Sequence, residues 1–209
     1  VTEKYERVDF MSTYGVVPYS IWESEDPKFS NPILKHLKER QGESTRENTL
    51  KSFGGAGENT AYTATTSYFN PKLCKIIYSS YCPKNGTIFD PFSSVVRPYM
   101  AKILDYNYVG CEVRKDECDK INEMLNTNSL FEESDVRVLN MDCREFETDQ
   151  KFDLVFTCPP YWNLETYSEQ DNDLSSITDY SDFLTEMSKV YTKCSSLMHD
   201  ESYCCFVVA

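Results

Sequence analysis

The 209 residues carry 21 Lys and Arg against 34 Asp and Glu, a formal net charge of −13, and 40% are apolar. The apolar share excludes an intrinsically disordered chain, and the length suits one domain with a sizeable core. The acidic balance speaks against plain phosphate binding, which takes Lys and Arg, and no apolar run is long enough to span a bilayer or opens the chain as a signal peptide.

Residues 1–65 read as an irregular, polar lead-in, expected to serve substrate or partner contact. Within it, PILKHLKER reads as a short helix, with Asn31 as cap ahead of Pro32. Basic residues gather here (Lys35, His36, Lys38, Arg40, Arg46), but acids are mixed among them, which is the pattern of a solvated surface. The Gly-, Thr- and Ser-rich run KSFGGAGENTAYTATT reads as a loop.

Residues 66–209 read as the second unit, and its pattern is regular. Asn70 and Pro71 are a natural cap and first residue for a helix that carries Leu73, Ile76, Ile77 and Tyr81 on its apolar face. A turn at Pro83–Gly86 leads into a short buried strand ending at Asp90. A helix through VVRPYMAKILDY follows, with Pro98 expected to distort it, and then a strand YVGCEV ending near Glu112. DECDKINEMLNT is a third helix, VRVLNMD a strand ending at Asp142, and FDLVFTC a strand ending at Cys158. A long helix through DYSDFLTEMSKVYTKCSSLM and a strand YCCFVVA complete the series. Because the chain opens on Val1 and stops inside that strand, it is expected to be a fragment, with the second unit truncated at its carboxyl end.

Strands alternating with helices predict a mostly parallel sheet covered by helices on both faces, an α/β fold. In such sheets ligands bind beyond the carboxyl ends of the strands, at the point where the strand order reverses. Asp90, Glu112, Asp142 and Cys158 all fall at those ends. A nucleoside cofactor needs a turn that makes room for it, an acceptor for its ribose hydroxyls and an edge contact for adenine. Asp90 with Pro91, Phe92, Ser93 and Ser94 suits the first need. Glu112 lies about twenty residues on, the spacing of a ribose-binding carboxylate. Asp142, followed by Cys143, suits the third. Each carboxylate taken singly reads equally well as a helix cap.

The run Thr157-Cys158-Pro159-Pro160-Tyr161 is a stiff turn after a buried strand. Its two prolines fix φ and remove two backbone donors, leaving carbonyl oxygens to accept from an amino group. Tyr161 offers a flat face for a base taken out of its stack. An exocyclic amine is a weak nucleophile, because its lone pair is delocalised into the ring. Acceptors around its N–H groups draw the nitrogen toward tetrahedral geometry and expose the lone pair.

Nine cysteines invite a disulfide or zinc reading, but no Cys-x-x-Cys pair occurs and the two histidines, His36 and His199, lie far apart. Most of the cysteines sit in apolar runs and read as buried free thiols of a reduced, intracellular protein with no metal.

FNPKLCKIIYSSYCPKNGTIFDPF resembles the stretch of amino-methylating DNA methyltransferases that holds their tenth and first motifs, and FTCPPYWNLETYS resembles their fourth. The chain is most similar to phage and bacterial DNA modification methylases, which continue through Leu-Glu, Tyr-Ser and Leu-Ser to an F-V-V strand. Here those are Leu164-Glu165, Tyr167-Ser168, Leu174-Ser175 and Phe206-Val207-Val208, and the likeness covers roughly residues 66 to 209, the lead-in adding only Trp22. The resemblance implies a Rossmann-like methyltransferase fold and S-adenosylmethionine as cofactor. By position it implies cofactor contacts at Asp90, Pro91, Phe92, Glu112 and Asp142, and a target amine of adenine or cytosine held at Cys158, Pro159, Pro160 and Tyr161. A nucleic-acid substrate follows, DNA ahead of RNA, in the cytoplasm of a prokaryotic or phage-infected host, with a partner subunit supplying basic surface or target recognition as a further expectation. An RNA amino-methyltransferase and a non-catalytic scaffold subunit remain open as alternatives.

Two departures stand out. Ser93-Ser94-Val95-Val96 replace the glycines that usually follow the first motif. Cys158 replaces Asp, Asn or Ser, and a thiol is a poor acceptor, so the carbonyl region of Pro159 is expected to carry more of the polarisation. Cys158 precedes its proline, whereas ring-carbon methylation uses a Cys after one, so it is not expected to be a covalent nucleophile.

Overall fold

The computed structural model describes residues 32, 33, 35, 69–126, 134–162, 166–168 and 170–208. In the lead-in, Pro32, Ile33 and Lys35 are helical. The other lead-in expectations (the Asn31 cap, the remaining basic residues, the Gly-rich loop and Trp22) lie outside the described residues, as do Leu164, Glu165 and the last residue.

Chain order from Pro71 is α1 (Pro71–Tyr81), β1 (Thr87–Asp90), α2 (Val96–Ile103), β2 (Asn107–Glu112), α3 (Lys115–Asn126), β3 (Val136–Asn140), a 3₁₀ turn (Cys143–Glu145), β4 (Phe152–Thr157), a second 3₁₀ turn (Leu174–Ser176), α4 (Tyr180–Leu197) and β5 (Met198–Phe206). The five strands form one sheet in the order β3-β2-β1-β4-β5, and every neighbouring pair is parallel.

Local chemistry accounts for the element boundaries. Asn70 caps α1 by accepting the Lys72 N–H at 2.9 Å, and Pro71 opens it. Asp179 caps α4 in the same way, accepting from the N–H groups of Ser181 and Asp182. Pro98 does not distort α2. It lies in the first turn, where its missing N–H has no intrahelical partner to lose. β5 is longer than its apolar run suggests and begins at Met198, directly after α4.

Alternate side chains of the strands feed two cores. Ile88, Tyr108, Leu154 and Phe156 pack on one face with Tyr78, Met100 and Ile121 of α1, α2 and α3. Phe89, Val109, Cys111 and Val155 pack on the other with Phe183, Met187 and Val190 of α4. Phe152 joins the second core because the β4–β5 register shifts between Phe152 and Leu154. The sheet is thus covered by helices on both faces, as the alternating pattern requires.

All nine cysteines are free thiols, six of them buried. Burial pushes Cys143 up to about 12 and Cys205 to about 11, so both stay protonated and unreactive near neutral pH. Among the described residues no helix is long and apolar enough to cross a membrane.

Candidate active site

Strand order locates the site. The chain lays down β1, β2 and β3 toward one edge and then crosses back to place β4 and β5 on the other side of β1. The reversal therefore falls between β1 and β4, the place where such sheets open a crevice beyond their carboxyl ends. The turn after β1 (Pro91–Ser94) and the turn after β4 (Cys158–Tyr161) flank it.

Asp90, the last residue of β1, has no solvent exposure. Four protein donors converge on its carboxylate. Oδ1 accepts the Phe92 N–H at 3.1 Å and the Thr157 hydroxyl at 2.5 Å, while Oδ2 accepts Arg97 Nε at 2.6 Å and the Tyr108 hydroxyl at 2.5 Å. A carboxylate offers about four lone-pair sites, so this one has none left for a ligand. Through these bonds the carboxylate organises the turn after β1. Arg97 also donates to the Phe92 carbonyl, and its guanidinium lies 5.0 Å from the Phe69 ring centroid. Burial disfavours the Arg97 cation, but Asp90 outweighs it and holds the pKa above its ordinary value.

The serines that replace the expected glycines are accommodated by their surroundings. Ser93 is buried and its hydroxyl lies 3.0 Å from that of Tyr108. The single Tyr108 proton goes to Asp90, so Ser93 is the donor. Pro91 is buried, and Phe92 and Ser94 are half-buried. Close approach is made instead on β2, where Gly110 pairs with Asp90. A Cβ at Gly110 would lie 2.6 Å from Ser93 Oγ and 2.8 Å from Tyr108 Cε1.

Glu112 ends β2 with a different status. Its Oε1 accepts the Arg114 N–H at 2.8 Å, and no donor among the described residues reaches Oε2. Desolvation raises its pKa to about 7, the hydrogen bond and charge of Arg114 oppose the rise, and Glu117 and Asp173 add to it. Asp173 belongs to the segment that follows the Pro-Pro-Tyr turn. It is buried and accepts from Ser168 Oγ, Ser175 N and Ser175 Oγ. That brings the Tyr-Ser and Leu-Ser pieces of the sequence pattern together.

Asp142 lies two residues beyond the end of β3 and caps the first 3₁₀ turn through the Arg144 N–H at 2.9 Å. Arg144 Nε reaches both carboxylate oxygens at 3.0 Å and the same guanidinium pairs with Glu186 of α4. Asp142 thus serves as both a cap and an ion-pair partner. Cys143 is buried at the start of that turn.

In the turn after β4, Pro159 is buried and Cys158, Pro160 and Tyr161 are half-buried. The Thr157 carbonyl is taken by the Val207 N–H at 2.9 Å. Cys158 Sγ lies 3.2 Å from the Tyr161 hydroxyl, so these two side chains meet across the turn. Trp162 follows, exposed, with its ring 4.9 Å from that of Tyr180 at the start of α4. Arg97, Tyr108, Gly110 and Asp173 were not singled out from the sequence. An arginine in an otherwise apolar helix start and a tyrosine inside a buried strand were the available signals, since both need a buried polar partner.

No family model matches the chain, and no curated protein matches it. Among solved structures, an rRNA methylase from Streptococcus thermophilus is 7% identical with a TM-score of 0.45, over 67% of this chain and 71% of that one. The N-methyltransferase NodS from Bradyrhizobium japonicum is 14% identical with a TM-score of 0.43, over 66% and 65%. The glycopeptide N-methyltransferase MtfA complexed with S-adenosylmethionine is 9% identical with a TM-score of 0.48, over 68% and 51%. With TM-scores below 0.5, the assignment of function rests on the chemistry of the site.

Proposed function

We propose that this chain binds S-adenosylmethionine at the ends of β1, β2 and β3 and methylates an exocyclic amino group of a nucleobase at the turn after β4. The observation that carries the reading is the Pro-Pro-Tyr turn lying across the β1/β4 reversal from a strand-end carboxylate, Glu112, that still has an oxygen to give. Ribose hydroxyls supply the two donors that such a carboxylate lacks. The turn Pro91–Ser94 would face the amino-acid end of the cofactor, and the 3₁₀ turn at Cys143 the adenine edge. When bound, the cofactor supplies a methyl on a sulfonium sulfur, which leaves as a neutral thioether while the amine nitrogen gains the methyl and loses a proton.

The chain's own residues do the orienting. Pro159 and Pro160 hold the turn rigid, the carbonyls of Cys158 and Pro159 accept from the amine, and Tyr161 stacks on the base, with its hydroxyl set by Cys158. DNA is the proposed substrate, on the strength of the motif resemblance, with RNA the alternative within the same chemistry. A second reading, a scaffold subunit that keeps the fold without turnover, is favoured by one observation: Asp90 and Asp142 already have their acceptors filled by protein donors.

Mass spectrometry of nucleosides after incubation with isotopically labelled cofactor and mixed DNA and RNA tests both. A labelled aminomethyl nucleoside is expected, whereas a chain that neither binds cofactor nor transfers label is the scaffold. Stacking of this kind contributes about 1–3 kcal/mol per base. Tyr161→Ala is therefore expected to depress transfer strongly with cofactor binding nearly intact, and Tyr161→Phe to retain much of it. Full activity in Tyr161→Ala would remove the turn from the mechanism.

A further inference from the structure

The geometry points to Asp90 and Thr157 as a pair of positioning residues that tie the cofactor-side turn to the acceptor-side turn; the inference rests on the methyltransferase reading above. The backbone ladder between β1 and β4 is short. Its registered pairs are Ile88 with Leu154 and Phe89 with Val155, and it ends before either turn begins. Neither Asp90 nor Thr157 is registered with a residue of the other strand, at the place where the fold opens its crevice. The bond that spans the gap is made by side chains. Thr157, the last residue of β4, donates its hydroxyl to Asp90 Oδ1 at 2.5 Å, and both residues are fully buried.

The link is rigid at each end. Oδ1 also takes the Phe92 N–H, so a single oxygen holds the turn after β1 and the residue preceding Cys158. Arg97 and Tyr108 grip the other oxygen, which stops the carboxylate from rotating away. On the far side the Thr157 carbonyl is held by Val207 of the β5 segment. Methyl transfer needs donor and acceptor aligned to a fraction of an ångström, and misplacement by about 1 Å costs on the order of a hundredfold in rate. A buried, charge-assisted bond between the two turns is suited to fixing that distance.

Thr157→Val keeps the shape and removes the hydroxyl, while Thr157→Ser keeps the hydroxyl. Three measurements on the whole chain separate positioning from simple stability: S-adenosylhomocysteine affinity by calorimetry, hydrogen exchange of the peptide spanning residues 156–162 with and without that ligand, and single-turnover transfer. In Thr157→Val the affinity is expected to stay within about twofold of the parent, the ligand-induced protection of 156–162 to be lost, and the rate to fall about tenfold to a hundredfold. Thr157→Ser is expected to recover most of the protection and the rate. Should the valine variant fail to fold, Thr157→Ala, which also lacks the hydroxyl and leaves room for a water, is expected to give the same split. Retained protection and retained rate in a folded variant without the hydroxyl overturn the proposal alone. A parent chain that binds no S-adenosylhomocysteine overturns the methyltransferase reading and the proposal with it.

Discussion

Three strand-end carboxylates look alike in the sequence and have different fates in the fold. Asp90 is saturated by four donors, Asp142 is held by Arg144, and Glu112 keeps one oxygen that no donor among the described residues reaches. Burial pushes the Glu112 carboxyl up, to about 7. Between its ordinary value of 4.5 and about 7, the folded chain holds a proton that the unfolded chain has lost. This group therefore favours the native state most at low pH and favours it progressively less as pH rises to 7. Ligand binding has the opposite sign, because ribose hydroxyls donate to the charged form. Affinity for S-adenosylhomocysteine is accordingly expected to rise about tenfold between pH 6 and pH 8 and then level off. Glu112→Gln should bind more weakly and lose that dependence. Calorimetry across this range checks both, and a flat profile in the parent would take Glu112 out of the site.

At the scale of elements, the turn after β1 is shaped by β2 as much as by its own residues. The glycine expected within the turn is found instead at Gly110, paired with Asp90 and in contact with Ser93. Gly110→Ala forces a Cβ to within 2.6 Å of Ser93 Oγ and 2.8 Å of Tyr108 Cε1. Overpacking of this kind costs about 1–3 kcal/mol, and urea denaturation is expected to show it. Ser93→Gly in the same chain removes the serine contacts but leaves that with Tyr108, so it should recover part of the loss. Additive effects of the two changes would mean that the turn does not rest on β2 at this point.

Across the whole molecule, charge is distributed unevenly about the site. From Phe152 to Ser188, a stretch that includes the Pro-Pro-Tyr turn, there is no Lys or Arg, and eight residues are Asp or Glu. An open groove of about 700 Å³ between the first 3₁₀ turn and α4 does contain Arg144, Lys189 and Lys193, but each is paired with an acid. Among the described residues, phosphates therefore meet few free cations around the candidate site. Binding of this chain alone to a short oligonucleotide is expected to be weak and to change little between about 50 and 200 mM salt, since the slope counts the phosphates neutralised. A loss of a thousandfold over that range would place a basic groove on the chain. A shallow slope favours a partner subunit as the source of basic surface.

The sequence by itself determined the alternation of strands and helices, the cap at Asn70, and the placement of Asp90 and Glu112 at strand ends, with Cys158 one residue and Asp142 two residues beyond theirs. Periodicity and capping are local, so neighbouring residues suffice to state them. It also marked the stiff turn at Cys158–Tyr161, because proline restricts φ wherever it stands. Only the tertiary structure decided which strand-end carboxylate stays open, that Pro98 leaves α2 intact, and that Arg97, Tyr108 and Thr157 converge on Asp90. Those outcomes depend on donors contributed by α2, β2 and β4, between 7 and 67 residues away along the chain. No local pattern encodes which of many polar residues will face a given carboxylate once the strands are side by side. That pairing is set by the order β3-β2-β1-β4-β5, which brings β2 and β4 to the two flanks of β1.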